Sequence, residues 1–347
     1  MILLLFFLAP IFTVDVPSPT ADKPQSKVWF AHGSWWAWMP VKEGSSVWRR
    51  EAAGQWARQT ALDAPLRGLP GQADVWADER EACAVLVAER RLAFACLAWR
   101  GAGYELARAP VPIEVEGKLE TATLARDGRG EWWVAYGLER EMWVRRSGDA
   151  WKQAQRISAA PAAADDICAV VAVSGGIGVL WSDQAADTVW FRWRPDGAEG
   201  WGAIEAIERG GKNADDHIRI SVSADGRLLV AMKNSVDRLG APQLVLRERA
   251  RDGKWTSRPY APRTESGEPS RPAVLLGGEP ERMFLLHSRY AKGGSEIVRW
   301  ADGREEVLIP GNRVNDVTGP KARFPNGQPW IVLASDREGN VYEARLN

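Results

Sequence analysis

One pattern returns at nearly constant intervals: a short apolar–aromatic stretch ending in or containing arginine. It reads VWRR at 47–50, WVRR at 143–146, WFRW at 190–193, LVLR at 244–247 and EIVR at 296–299. After a turn comes an aromatic residue, at Trp56, Tyr104, Trp151, Trp201 and Trp255, spaced by 48, 47, 50 and 54 residues. Each arginine-bearing strand is preceded by a hairpin whose turn is rich in glycine, such as AHGS (31–34), RDGRG (126–130), ADG (224–226) or PNG (325–327). Every unit therefore reads as four short antiparallel strands. A repeat of this length marks a fold whose units cannot bury their apolar faces alone. Four-stranded units set around an axis hide their edges by closing into a ring. Units begin near residues 26, 73, 120, 166, 216, 271 and 318, which predicts an all-β, seven-bladed β-propeller. Six blades with an irregular second unit is the alternative count.

The last unit, from 318 to 347, ends after three strands, and the stretch around Phe12–Val16 is the candidate for the missing fourth. The chain has 19 tryptophans against 5 tyrosines and 8 phenylalanines, a bias that suits twisted strands. No long amphipathic helical period follows residue 20. Trp36, Trp133, Trp143, Trp190 and Trp255 alternate with polar neighbours and are expected to fill the wedges between blades. Although 347 residues would ordinarily suggest two or three domains, the repeat implies one propeller domain over 26–347.

Residues 1–25 read as an apolar, signal-like segment and a linker. MILLLFFLAPIF is too short to span a bilayer as a helix. Its length matches a secretory h-region, without a basic n-region or an A-x-A site. Export to the periplasm, cell surface or medium is the expectation, in competition with use of Phe12–Val16 as a closing strand. No other segment reads as a membrane span. In EACAVLVAERRLAFACLAW a tight turn at Glu89–Arg90 sets Cys83 opposite Cys96. Bridging distance is available there if the chain is exported. Two buried thiols are the adopted reading, with Cys168 packed in a strand.

Lys and Arg together number 45, as do Asp and Glu, so neither nucleic acid nor an anionic membrane is drawn by bulk charge. The chain lacks G-x-S-x-G, HExxH, P-loop and C-x-x-C signatures. Chemistry gathers instead at the ends of hairpins. In NADDHIRISVSADGRLLVAMKNS (213–235), centring the turn on Asp225 pairs His217 with Lys233 and brings Asp216 alongside. The first strand of a unit descends the central channel and the second climbs back, so both polar ends reach one rim. The same folding places Asp166 opposite Gln184, Arg271 near His287, and Lys321 near Ser335 and Asp336, while Glu120 opens the third unit. The expected ligand-binding mouth thus carries Glu120, Asp166, Gln184, Asp216, His217, Lys233, Arg271, His287 and Lys321. Clusters of mixed titratable groups in a concavity are where ligands are commonly held. Three histidines in the chain argue against a zinc centre, and no cofactor is expected; calcium would suit the carboxylates but has no signal of its own.

At KVWFAHGSWWAWMP (27–40), GVLWSDQ (178–184), ADDHI (214–218), VAMKNS (230–235), SRPAVLL (270–276), TGPK (318–321) and VLASD (332–336) the chain resembles sialidase-like bacterial β-propellers, closest to a little-characterised exported set. Worn Asp-box turns remain at SGDAW (147–151), at PDG before Trp201, and at DGKW (252–255). The resemblance implies the fold more than an activity. A sialidase requires an arginine trio and a Tyr–Glu pair. Here only Arg271 fits the trio, with Arg289 a weaker candidate, and nothing sets a glutamate beside Tyr290. Sialidase activity is not expected, because an incomplete catalytic set cannot perform the chemistry. The reading adopted is an exported binding or scaffold propeller whose rim holds a glycan or protein partner. The alternative is a carbohydrate-active enzyme, a glycoside hydrolase or polysaccharide lyase, working at the same rim.

Overall fold

A computed structural model describes residues 9–21, 23–311 and 313–346. The apolar run read as an export segment falls mostly on residues 1–8, outside the described residues. Seven antiparallel sheets form a ring of blades. Their innermost strands are Val28–Ala31, Gln72–Ala77, Leu119–Arg126, Cys168–Val173, Ile218–Val222, Glu268–Gly277 and Asn315–Thr318. These starts fall close to those expected from the repeat, so the chain is a seven-bladed β-propeller. Blade 2 is irregular only at its outer edge, where Tyr104–Leu106 and Val111–Ile113 both pair with Arg91–Trp99.

The second strand of each blade lies between two neighbouring blades and is buried on both faces. Strands in that position read as nearly continuous apolar runs, as in SWWAWMPV (Ser34–Val41), EACAVLVA (Glu81–Ala88) and WWVAYGL (Trp132–Leu138). The apolar clusters accordingly sit between blades, as in the one joining Trp36, Trp38 and Val75.

At three seams a recurring arginine or tryptophan joins one blade to the one before it. In blade 5, Arg247 Nε lies 2.8 Å from Glu208 of blade 4, and Trp255 Nε1 donates to Glu205 at 3.3 Å. In blade 4, Trp201 Nε1 donates to Gln155 of blade 3 at 3.0 Å. In blade 1, Arg50 and Trp56 both reach Glu343 of blade 7. An indole N–H buried against an apolar wedge favours an acceptor, and at these three seams the outer half of the preceding blade supplies it.

Blade 7 is completed by Phe12–Thr13, which pairs with Val341 and Asn340. The Phe12 ring stacks on Trp48 of blade 1 with centroids 4.2 Å apart. Cys83 and Cys96 occupy directly opposed positions, as their register implies, with Cα atoms 4.0 Å apart. They form a disulfide and are not the two thiols expected, since directly opposed strand positions lie within bridging reach. Cys168 is a buried free thiol.

Candidate functional site

The rim carrying the starts of the innermost strands is closed by the chain's own N-terminal segment. After Thr13 the backbone crosses from the edge of blade 7 to the channel, and residues 23–27 lie across it. The Thr20 and Ser335 hydroxyls are 2.7 Å apart. Lys23 pairs with Asp216 of blade 5. Gln25 Nε2 donates to the Ala122 carbonyl of blade 3 at 2.9 Å. The Ser26 amide donates to Asp74 of blade 2, and the Lys27 amide to Thr318 of blade 7. One buried guanidinium pins this strap: Arg219 donates to the carbonyls of Pro24, Gln25 and Gly319 and to the Ser26 hydroxyl. A stretch with linker composition is thus part of the channel.

Beside the strap, the structure gathers Asp216, His217 and Lys233 as the hairpin register implies. Ile218 faces Met232, and the Lys233 amide donates to the His217 carbonyl at 3.1 Å. His217 Nδ1 lies 2.5 Å from Asp215 and 2.6 Å from Asp216, while Lys233 Nζ is 3.3 Å from the other Asp215 oxygen. Burial opposes ionisation of Asp216, but its hydrogen bond to His217, the His217 charge and the Lys23 ammonium hold its carboxyl well below the usual range. Ligand atoms of Asp215, Asp216 and His217 lie within 4.8 Å of one another, a donor set suited to a cation. Lys23 and Lys233 already supply positive charge to both carboxylates.

β-Bulges shape the same rim. Each leaves extra residues unpaired and re-aims their side chains. One between Leu119 and Ala122 contains Glu120, one between Ser270 and Ala273 contains Arg271, and one between Asn315 and Thr318 contains Asp316. Arg271 and Asp316 both adopt left-handed backbone, at φ 51° and 52°, and face one another at 2.8 Å. Arg271 also donates to the Tyr290 hydroxyl at 2.8 Å. Arg289 instead pairs with Glu296 and Glu305 inside blade 6. Glu120 is exposed, and its carboxyl is raised by burial against the rim, an effect opposed by Lys23 and Lys118.

Three other expected positions have different surroundings. Asp166 is buried and accepts from the Ser182 hydroxyl at 2.6 Å and from the Gln184 amide at 2.9 Å, so the pair closes a turn within blade 4. Burial raises the Asp166 carboxyl despite these bonds. His287 does not reach the mouth. Its Nε2 meets Glu305 on the outermost strand of blade 6 at 2.9 Å, because neighbouring strand residues point to opposite faces. Lys321 is also not on the rim beside Ser335: the innermost strand of blade 7 stops at Thr318, and Lys321 lies inside the channel, bonded to Asp74 and to the Leu124 carbonyl.

Sequence reasoning did not assign Lys23, Asp74, Arg219 or Asp316. Arg219 had a signal, being a charge among apolar residues on an innermost strand. Lys23 had none, since nothing local tells a strap from a linker. Between the strap and blades 5 to 7 there remains a cleft of about 30 Å³, lined by Lys23, His217, Arg271 and Asp316 among others.

No family model and no curated protein matches the chain. Similar solved structures include a protein of unknown function from Dyadobacter fermentans, 11% identical over 98% of this chain and 97% of its own, with a TM-score of 0.50. An alpha-L-arabinanase of Penicillium chrysogenum is 10% identical over 99% of this chain and 98% of its own, with a TM-score of 0.47. A Trypanosoma rangeli sialidase mutant displaying trans-sialidase activity is 9% identical over 84% of this chain, with a TM-score of 0.48. This chain spans 59% of that sialidase's length. At such identities the likeness concerns the fold alone: the protein shares the propeller architecture.

Proposed function

We propose that this protein is an exported binding or scaffold propeller that presents its strapped rim to a glycan or protein partner. The observation that carries this reading is the closure of the mouth by residues 23–27, with Asp215 and Asp216 engaged by His217, Lys23 and Lys233. A glycosidase needs two carboxylates flanking a sugar in an open pocket. The cleft of about 30 Å³ beside the strap is water-sized and too small for a sugar ring. What the rim offers is a mixed polar surface stiffened from beneath by ion pairs, which suits recognition. Export is supported by the Cys83–Cys96 bond, since disulfides persist in oxidising compartments. The pairing of Phe12 with Val341 requires that export leave residue 12 attached.

The test is a glycan array and a partner pull-down with the purified protein, beside polysaccharide-degradation assays. Glu120→Lys should abolish capture while the melting temperature stays near that of the parent. Glu120 makes no hydrogen bond or ion pair among the described residues, so its replacement reports on the surface. Degradation of a polysaccharide that is lost in Asp216→Asn would replace this reading with the enzymatic one.

A further inference from the structure

Below the strap the channel remains open toward the opposite face. It forms a blind cup of about 250 Å³, closed at one end by Pro24 and Ser26. Its walls come from the innermost strands of blades 3, 4 and 5, chiefly Ala125, Ala169, Val171, Ile220 and Val222. Lys321 also lines the cup, as do Arg126 and Arg323, each already paired with a carboxylate, Glu81 at 3.1 Å and Glu281 at 2.9 Å. Enclosed apolar walls with a few converging polar groups are the usual form of a small-molecule site.

The charges around the closed end do not balance. Asp74 is fully buried and accepts from the Ser26 and Leu124 amides, each at 2.7 Å, as well as from Lys321. It faces two cations, Lys321 and Arg219. All four acceptors of Arg219 are neutral oxygens. The Lys321 ammonium has three N–H donors and, among the described residues, two acceptors, Asp74 and the Leu124 carbonyl. Its side chain is 25% exposed. Burial pushes Lys321 down from its ordinary value, and Arg219 down to about 10, as expected of cations short of compensating charge. The buried Lys27, whose Nζ donates to the Gln25 and Gln72 side chains and the Ala73 carbonyl, adds a third cation nearby, and a negative charge placed against Lys321 would offset part of this excess.

We propose that this cup binds a compact, mainly apolar monocarboxylate, with its carboxylate on the free N–H of Lys321 and its apolar body against the alanine, valine and isoleucine wall. The volume equals that of about eight waters at ~30 Å³ each, which suits an acid the size of benzoate or hexanoate. The cup has the strap as its floor and opens away from the strapped rim, and its existence does not rest on the function proposed for that rim.

The test is calorimetric titration of the full chain with benzoate and hexanoate, each against its uncharged counterpart, benzamide and hexanol. Saturable binding of the two acids is expected, with the neutral compounds at least tenfold weaker. Lys321→Met should lower affinity for the acids at least tenfold and bring them level with the neutral compounds. Because that change leaves Asp74 without its ammonium and threatens folding, a second variant acts on the lining: Ala322 is exposed among the lining residues, and Ala322→Trp narrows the cup and should lower affinity for both acids at least tenfold at an unchanged melting temperature. Glu120→Lys, on the other rim, should leave benzoate affinity unaltered. The proposal is overturned if neither acid binds saturably, if acid and neutral counterpart bind alike, or if Ala322→Trp binds as the parent does.

Discussion

Arg50 of the first blade and Glu343 of the last meet in a two-pronged ion pair, Nε to Oε2 at 2.8 Å and Nη2 to Oε1 at 3.0 Å. The Trp56 indole donates to the same carboxylate at 2.9 Å. These bonds hold the one seam of the ring that joins the two ends of the chain. The Arg50 and Glu343 side chains are only 12% and 10% exposed, so removing one partner strands a largely buried charge. Glu343→Ala should cost about 3 kcal/mol. Glu248→Ala, which breaks the half-exposed pair with Arg227, should cost less than about 1 kcal/mol. Urea unfolding of both variants measures the difference, and equal costs would show that the seam has no special weight.

The disulfide leads to a thiol count. Protein denatured without reductant should present one reactive thiol per chain, Cys168, and reduced protein all three. Before unfolding, Cys168 should resist alkylation at pH 8, because complete burial raises its thiol pKa far above the ordinary value. Replacing Cys83 and Cys96 together by alanine should destabilise the chain by about 3 kcal/mol, on the loop-closure entropy of a bridge of this separation. A native count of three thiols would remove the bond.

The blade count was legible because the arginine-bearing strand and the aromatic after it return once per blade, and at some seams, as with Arg247 and Trp255, they also bond to the preceding blade. The pairing of His217 with Lys233 followed from the ADG turn, which allows one centre. The pairing of Asp166 with Gln184 came within one position: Cys168 faces Trp181, so the backbone register sets Asp183 opposite Asp166. Gln184 reaches back through its amide and side chain. His287 and Ser288 are adjacent on a strand, and alternation alone forbids both from facing the mouth. The strap was not legible. Lys23, Pro24, Gln25 and Ser26 are held by residues up to 195 positions away, and a proline-rich polar stretch looks the same whether it crosses a channel or hangs in solvent.

The strap's ion pair has a pH signature. Asp216 has a folded-state pKa depressed below its unfolded value, so its contribution is fully present above about pH 4 and is lost as pH falls through the folded value. Asp216→Asn should therefore be less stable than the parent at pH 7, and the two should converge in acid. Thermal melts from pH 7 to pH 2 test this. A difference that stays constant with pH would mean that the pair adds packing and not charge.

Arg219 gives the sharpest test of the strap as a structural member. Its guanidinium is almost wholly buried and spends its donors on Pro24, Gln25, Ser26 and Gly319. Methionine at this position keeps much of the volume and leaves those oxygens without a donor, each worth roughly 1–3 kcal/mol when buried. The strap backbone, unlike the blades, has few ladder bonds to fall back on, so the loss should appear locally before it appears globally. In Arg219→Met, amide hydrogen exchange over residues 20–27 should rise by at least tenfold while exchange in the second strand of blade 3, Trp132–Leu138, stays at the parental rate. Uniform acceleration through all blades would instead make Arg219 a residue of the ring's core. Unchanged exchange in the strap would show that Gln25 and Thr20 suffice to hold it, and that the closure of the rim does not depend on the guanidinium.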